Sequence, residues 1–109
     1  MKSKKEHLAN FYLAGATYYD LVLCFQELKI GTIVEARLEP DNKFDNRAIA
    51  LYYEDKKLGF IPKNENRIFY KLLHLNYAIF ECRIQQIDPT QHPEHQIKIV
   101  AHLIENTTP

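Results

Sequence analysis

The amino-acid sequence predicts a mainly β fold, a small barrel of five to six strands with one α-helix inserted before the last two strands. Apolar and polar residues alternate in several short segments, as half-buried strands require. A single segment changes to a period of 3.6 residues, which is typical of an amphipathic helix. The 109 residues are 46% hydrophobic and include seven tyrosines and six phenylalanines, enough for one modest core.

The first predicted strand follows a charged lead-in, residues 1–9. Residues 10–16 are rich in aromatic and small side chains, which favours a strand, and Gly15 within them permits a bend. Tyr18 and Tyr19 follow at the exit of this strand. The pair is therefore expected at a corner of the barrel, where function usually lies.

The second region joins an ambiguous apolar run to a clear strand. Residues 21–25 are either a short helix, capped by Asp20, or a strand, because a short apolar run does not distinguish the two. Residues 34–39 alternate strictly between apolar and charged side chains. This half-buried strand leads directly into a loop that begins at Pro40.

A predicted hairpin and the helix come next. Residues 48–53 are apolar on both faces, residues 54–57 form a polar turn, and residues 58–62 return as the partner strand. The helical period begins at Lys63, with Asn64 as a plausible N-cap. Its apolar face is expected to consist of Ile68, Phe69, Leu72, Leu73 and Leu75.

Two more alternating segments complete the domain. Residues 77–88 and 96–105 are predicted strands, joined by the linker 89–95, and residues 106–109 form a tail. Together the strands predict a closed or nearly closed barrel of the OB-like or SH3-like kind. We expect one domain over residues 10–105, with function on the loops at one rim.

The loop of residues 39–46 is the strongest candidate for a site. Its four Asx residues can bond nearby backbone groups, so the loop is expected to hold one shape. Phe44 lies between Lys43 and Asp45, and an aromatic face beside a carboxylate, an amide and an ammonium suits a flat polar ligand such as a nucleotide. The alternative is that Phe44 plugs the end of the barrel while the Asx residues only shape a turn.

Composition limits the classes of function. The 14 basic and 14 acidic residues cancel, which argues against tight nonspecific binding of duplex nucleic acid, so that any such contact is local. Cys24 and Cys82 are expected to be reduced and buried, with the cytoplasm as the compartment. No apolar run approaches the roughly 20 residues that span a bilayer, so membrane roles are not expected.

The chain resembles the HIRAN domain from about residue 10 to about residue 105. The resemblance depends on three features in order: residues 11–15 with the tyrosine pair, the block E-P-x-N-x-[aromatic]-D-x-x-A-I at 39–49, and x-G-[aromatic]-[aliphatic]-P at 58–62. HIRAN domains occur at the N-terminus of helicases that remodel replication forks and as free-standing bacterial proteins, and this chain looks like the free-standing form.

The resemblance implies an OB-like barrel that captures single-stranded DNA at its 3′ end. By matching motif, Asp45 would accept a hydrogen bond from the 3′-hydroxyl, and Asn42 would lie near the terminal phosphodiester. The stacking surface and pocket lining would come from the aromatic residues Tyr18, Tyr19, Phe44 and Phe60. Such a carboxylate selects an end, because it accepts from a hydroxyl but repels a phosphate.

This sequence departs from the family at the site. Thr17 stands where end-binding relatives carry a basic residue, Phe44 replaces a typical tyrosine, and Phe60 replaces a polar ring. The lost charge is expected to weaken binding. Four nearby basic residues are candidates to compensate: Lys43, Arg47, Lys63 and Arg67.

Other chemistries are weaker readings of the same chain. His92, His95 and His102 suggest a metal site, but no cysteine or carboxylate cluster with zinc spacing accompanies them. Asp41 with Asp45 suggests a divalent cation, but no catalytic motif follows. We therefore expect no metal, no cofactor and no catalysis by this chain. A partner nuclease or helicase would supply any chemistry.

A second class of function stays open, that of a protein-interaction module. Tyrosine-rich rims on small barrels also hold peptides. A peptide binder would ignore a free 3′-hydroxyl, whereas replacement of Asp45 would abolish a real end preference.

Overall fold

The structure is a computed structural model that describes residues 4–16, 19–77 and 79–105. Its strands in these ranges are β1 Lys5–Tyr12, β2 Ile33–Leu38, β3 Ile49–Tyr53, β4 Lys56–Phe60, β5 Phe80–Ile87 and β6 Ile97–Ile104. The helices are α1 Leu21–Cys24 and α2 Asn66–His74, and short 3₁₀ turns cover Phe25–Glu27 and Pro93–His95. None of these helices has the length and apolarity to cross a membrane.

The strands form one antiparallel sheet in the order β1-β6-β5-β2-β3-β4. The mainly β class, the OB-like architecture and the single longer helix before the last two strands are confirmed. The sheet is not closed by pairing of its edge strands β1 and β4. Instead, one bridge joins them, in which Ala14 and Phe60 exchange backbone hydrogen bonds of 2.9 and 2.8 Å. The two edges therefore meet at a single point.

Gly59 explains how the chain can approach so closely at this bridge. A Cβ atom at this position would lie 2.4 Å from the carbonyl oxygen of Ala14, a distance that real side chains do not adopt. Any larger residue would push the two edges apart. Close packing against Ala14 therefore requires a glycine at this position of the x-G-[aromatic]-[aliphatic]-P motif.

The core lies between the curved sheet and α2. Phe69 of α2 is fully buried and contacts the rings of Phe11 and Phe80 edge-on, at centroid distances of 6.0 and 5.0 Å. The sheet contributes the fully buried aliphatic residues Ile49, Leu51, Leu58 and Ile99. Because α2 lies over this core, its first turn is held in a fixed position beside β3 and the loop that precedes it.

The start of the first strand was placed wrongly. The strand begins at Lys5 rather than Asn10, so the second half of the lead-in pairs with β6, with His7 opposite His102. This region lacks an apolar alternation for two reasons. It is an edge strand with mostly exposed side chains, and a bulge between His7 and Ala9 breaks the period of two.

The helix prediction was correct in kind but wrong in its start, and its apolar face was correct only in part, for Phe69 in the core and Leu73 packed against it. The helix begins at Asn66, with Glu65 at the N-cap position instead of Asn64. Its buried residues are Asn66 and Phe69, whereas Ile68 and Leu75 are 45% and 61% exposed. The apolar pattern was misleading because the helix carries apolar residues on its outer face and a polar residue on its inner one.

The ambiguous segment after Asp20 is helical, with α1 continuing into a 3₁₀ turn. Asp20 does not cap this helix through its side chain. Its Oδ2 instead accepts a hydrogen bond from the backbone nitrogen of Lys57 at 3.3 Å. This bond places Lys57, a residue of β4, beside α1. The hairpin turn consists of Glu54 and Asp55 only, so the prediction of a turn over residues 54–57 was too long.

Candidate functional site

A cavity of about 320 Å³ opens beside the bridge between the two sheet edges. It contains the predicted site residues Tyr19, Asn42, Phe44, Asp45, Phe60 and Lys63. Four residues that were not predicted complete it: Ala14, Ala48, Ile61 and Asn66. Lys43, which was predicted, does not line it. Tyr18 and Thr17 lie outside the described residues.

Asn42 fixes the shape of the loop between β2 and β3. Its Oδ1 accepts hydrogen bonds from the backbone nitrogens of Phe44 at 2.9 Å and Asp45 at 3.0 Å. Its Nδ2 donates to Oε1 of Glu39 at 3.2 Å. Both lone pairs of the amide oxygen are thus used within the loop. The expected bonding to nearby backbone is confirmed for Asn42 and Asp45, two of the four Asx residues, and the bonds of Asn42 position Phe44 and Asp45 together.

Asp45 is held from two directions. Its Oδ1 accepts from the backbone nitrogen of Arg47 at 2.9 Å, and its Oδ2 accepts from Nδ2 of Asn66 at 3.1 Å. Each carboxylate oxygen can accept a further hydrogen bond, because two lone-pair sites belong to each. The half-buried carboxylate therefore has a fixed orientation and spare acceptor capacity at the cavity.

Asn66 is the residue that sequence analysis missed. It is the one buried polar residue in the described part of the chain, at 4% exposure, and it links the first turn of α2 to the loop. Its Nδ2 also donates to the carbonyl oxygen of Arg47 at 3.2 Å. A signal was available, since Asn66 lies three positions before the buried Phe69 and shares its helix face.

The aromatic residues form the rim of the cavity. The side chain of Phe44 is 93% exposed, so the idea that it plugs the barrel is wrong. Tyr19 is 37% exposed and contacts Phe60 edge-on, with ring centroids 5.5 Å apart. An exposed phenyl ring on a loop of fixed shape is an open stacking surface at the cavity.

The positive charge near the cavity differs from the expectation. Of the four basic candidates only Lys63 lines it, while the guanidinium of Arg47 lies 5.7 Å from the ring centroid of Tyr70 on α2. Lys57, which was assigned to the turn, has its Nζ 4.5 Å from the ring centroids of both Tyr19 and Phe60. Its ammonium also forms a salt bridge with Glu39, so Lys57 connects the rings of Tyr19 and Phe60 to the loop that carries Glu39.

The histidines do not form one group. His92 and His95 have ring centroids 6.0 Å apart, while His102 lies against His7 on the neighbouring strand. Within residues 4–16, 19–77 and 79–105 no three histidine, cysteine or carboxylate side chains come together as a metal site would require.

Both cysteines are free and buried, as predicted. Burial raises the pKa of the Cys82 thiol to about 12 and also raises the pKa of Cys24. Neither thiol is therefore set up as a nucleophile, since such chemistry requires a thiolate near neutral pH.

The fold resembles that of two solved structures. A protein from Lactobacillus plantarum superimposes with a TM-score of 0.78 at 20% identity, covering 96% of this chain and all of that one. The HIRAN domain of human HLTF superimposes with a TM-score of 0.64 at 13% identity, covering 92% of this chain and 78% of that one. Comparison with the curated proteins finds no match.

The sequence itself identifies the family. The family model for the HIRAN domain matches residues 7–104, which is nearly the whole chain. That range includes β1 from His7 onward and the complete cavity. The HIRAN domain is a nucleic-acid-binding module, which agrees with exposed aromatic residues at a cavity that also holds a carboxylate. The chain belongs to the HIRAN domain family.

Proposed function

We propose that this chain captures the 3′ end of single-stranded DNA, with the terminal hydroxyl donating a hydrogen bond to Asp45. The observation that carries the proposal is the pairing of an oriented carboxylate with an exposed aromatic ring at one cavity. The loop that holds Asp45 also holds Phe44, through the same amide oxygen of Asn42. Anchoring of the sugar and stacking of the base would thus share one rigid support.

Asp45 and Asn66, which we call the floor of the cavity, have no side-chain hydrogen-bond donor left for a ligand. The Asp45 carboxylate is an acceptor only, and the side-chain N–H groups of Asn66 are engaged by Asp45 and by the backbone of Arg47. A terminal hydroxyl can donate a hydrogen bond to the Asp45 carboxylate. A terminal phosphate or a continuing strand would bring negative charge against the carboxylate, which is unfavourable at this distance. The floor therefore selects an end that carries a hydroxyl.

The rim supplies most of the affinity in this proposal. Stacking of a base on an aromatic side chain contributes about 1 to 3 kcal/mol and depends little on sequence. Phe44 and Tyr19 offer two such surfaces on the same cavity. Two stacked bases with one anchored hydroxyl correspond to affinities of roughly micromolar order. A chain with zero net charge can reach this range without a basic surface.

Charge contributes at the rim as well. Lys63 lines the cavity and is exposed, so its ammonium can reach a phosphate outside the floor. One such contact gives a shallow dependence on salt, in contrast to proteins that neutralise many phosphates. We expect any reaction on the captured strand to come from a nuclease or helicase partner.

The test is fluorescence anisotropy with a short 5′-labelled single strand that ends in a 3′-hydroxyl or in a 3′-phosphate. We expect the hydroxyl end to bind about 10-fold tighter, because a hydrogen bond to a charged group contributes about 1.5 to 3 kcal/mol. Asp45→Ala should remove the difference. Circular dichroism confirms that the variant is folded. Equal binding of both ends by the folded wild type would overturn the proposal.

Asp45→Asn serves as the matched control for charge. It keeps the size of the side chain but replaces the carboxylate by an amide, so repulsion of the phosphate end is relieved. We expect its two affinities to converge mainly through tighter binding of the phosphate end. If the wild type binds neither end, the aromatic rim serves a different ligand, and peptide libraries would be tested next.

A further inference from the structure

We infer that the cavity prefers a strand whose last nucleotide carries two neighbouring hydroxyls, the 2′,3′-diol of a terminal ribonucleotide. Asp45 would take the 3′-hydroxyl and the Oδ1 of Asn66 would take the 2′-hydroxyl. The inference depends on the proposed function, because it assumes that the 3′ end lies against Asp45. The inference adds selection of the terminal sugar to the proposed selection of the 3′ end.

The orientation of the Asn66 amide follows from its neighbours. Two acceptors, Oδ2 of Asp45 and the carbonyl oxygen of Arg47, lie 3.1 and 3.2 Å from one atom of the amide. That atom must be the nitrogen, since an oxygen there would face two other oxygens. Both of its hydrogens are consequently directed away from any ligand. Oδ1 is the polar atom of this side chain that is left for a ligand, and Asn66 is one of the residues that line the cavity.

No described residue donates a hydrogen bond to Oδ1 of Asn66. The residue is 4% exposed, so an acceptor left without a partner there is costly. Among the described residues the only side-chain polar atom that is sealed from solvent without a partner is Nδ1 of His102, on β6. Oδ1 of Asn66 is not sealed in this way and keeps some exposure, in a residue that lines the cavity. A bound ligand that cannot donate to it would have to leave it hydrated.

The two acceptors are neighbours because one hydrogen bond connects them. Oδ2 of Asp45 is 3.1 Å from Nδ2 of Asn66, and Oδ1 belongs to the same planar amide. Hydroxyls on adjacent carbons of a ribose are also neighbours, and each carries one hydrogen to donate. A ribonucleotide end can thus satisfy both acceptors at once. A deoxyribonucleotide end supplies only one donor.

The expected selectivity is moderate. One additional hydrogen bond to a neutral acceptor, with the cost of leaving that acceptor unpaired, corresponds to about a 10-fold difference in affinity. Sites that are built to bond a hydroxyl reject the analogue that lacks it for this reason. The rim is not involved in the choice, because Phe44 and Tyr19 stack on bases whatever the sugar.

The experiment uses 5′-labelled strands with an identical deoxyribonucleotide body and a single altered 3′-terminal sugar. The four ends are ribo, 2′-deoxy, 2′-fluoro and 2′-deoxy with a 3′-phosphate. We expect the ribo end to bind about 10-fold tighter than the 2′-deoxy and 2′-fluoro ends, which should be equal to each other. Fluorine resembles a hydroxyl in size and in its effect on sugar pucker but cannot donate. Equal binding of ribo and 2′-deoxy ends, or of ribo and 2′-fluoro ends, would overturn the inference.

Asn66→Ala tests the assignment to this side chain. The variant also loses the support of Asp45, so its overall affinity should fall, and the diagnostic quantity is the ratio of ribo to 2′-deoxy affinity, which should drop to about one. Asn64→Ala is the matched control, because Asn64 is exposed and does not line the cavity. If Asn66→Ala does not fold, the four ends measured on the wild type decide the question.

The design separates the two proposals. A preference for 3′-hydroxyl over 3′-phosphate without a preference for ribose leaves the proposed function standing and removes the inference. If the wild type shows neither preference, both the proposed function and the inference are overturned. A preference for ribose that persists in a folded Asn66→Ala would assign the contact to another residue and overturn the inference as stated.

Discussion

Two cavities of nearly equal size lie on either side of Tyr19 and differ in what their polar groups do. The candidate site has a volume of about 320 Å³, and the second cavity, between α1 and the 3₁₀ turn at Pro93, has about 310 Å³. In the first, a carboxylate and an amide are oriented by the loop and by α2. The second is lined by aliphatic and aromatic residues with one polar side chain, that of Gln96.

Gln96 shows why the second cavity is chemically poor. Its Nε2 donates to the carbonyl oxygen of Gln91 at 3.0 Å, so the amide serves the β5–β6 connection. Val22, which also lines this cavity, is 82% exposed and carries no polar group. The comparison teaches that volume alone does not define a ligand site. Oriented polar groups that converge on the volume do.

The largest effect is expected from Asn42→Ala, which removes the bonds that orient Phe44 and Asp45 together. Stacking and end anchoring should both weaken, for a combined loss of about 100-fold in affinity for a 3′-hydroxyl strand. The free energy of unfolding should fall by only about 1 kcal/mol, as for loss of a capping side chain. Anisotropy and urea denaturation measure the two quantities.

Asn42→Ser is the matched control for that loss. A serine hydroxyl makes the same kind of local bond more weakly. Its affinity should therefore lie between those of the wild type and Asn42→Ala. An alanine variant that binds like the wild type would mean that the loop holds its shape without Asn42, and the contrast between the two cavities would lose its basis.

Phe44→Ala should lower affinity by about 10-fold through the loss of one stacked base. Stability should change by less than about 0.5 kcal/mol, because a ring that is 93% exposed contributes little to the core. Phe44→Tyr keeps the ring and restores the residue that is typical of the family, so it should bind at least as well as the wild type. A stability loss in Phe44→Ala comparable to a core substitution would contradict the exposed position of the ring.

A smaller effect is expected from the basic residues. Lys63→Ala should reduce the slope of log affinity against log salt by about 0.7, the value for one phosphate contact on a single strand. Lys43→Ala is the natural control, since Lys43 belongs to the same loop but does not line the cavity. Titrations at three salt concentrations measure both slopes. Equal changes in the two variants would indicate a diffuse field rather than a contact.

The sequence predicted those features whose information is local. The alternation of Phe80, Cys82 and Ile84 against charged residues defines β5 because every second side chain faces the core. The Asx residues of the loop predict its bonds because an Asx side chain reaches only a few residues along the chain.

The features that were missed depend on contacts between distant segments. Asn66 looks like an ordinary polar residue near a helix start until the helix is placed against the loop that ends at Arg47. Lys57 looks like part of a turn until β4 lies against α1 and brings its ammonium beside Tyr19. Helix spacing places Asn66 on the same face as Phe69, but its contact with the loop, like the position of Lys57, is decided by how α2 and α1 dock on the sheet.

The smallest effect is expected from Val22→Asp, which places a charge in the second cavity. Val22 is exposed, so the fold should tolerate the change, and affinity for a 3′-hydroxyl strand should alter by less than about two-fold because exposed charges interact only weakly through water. Anisotropy at physiological salt measures this. A loss as large as that of Phe44→Ala would show that the strand continues past Tyr19 into the second cavity. In that event the oriented polar groups would select the 3′ end, while the apolar surface on both sides of Tyr19 would bind the nucleotides that precede it.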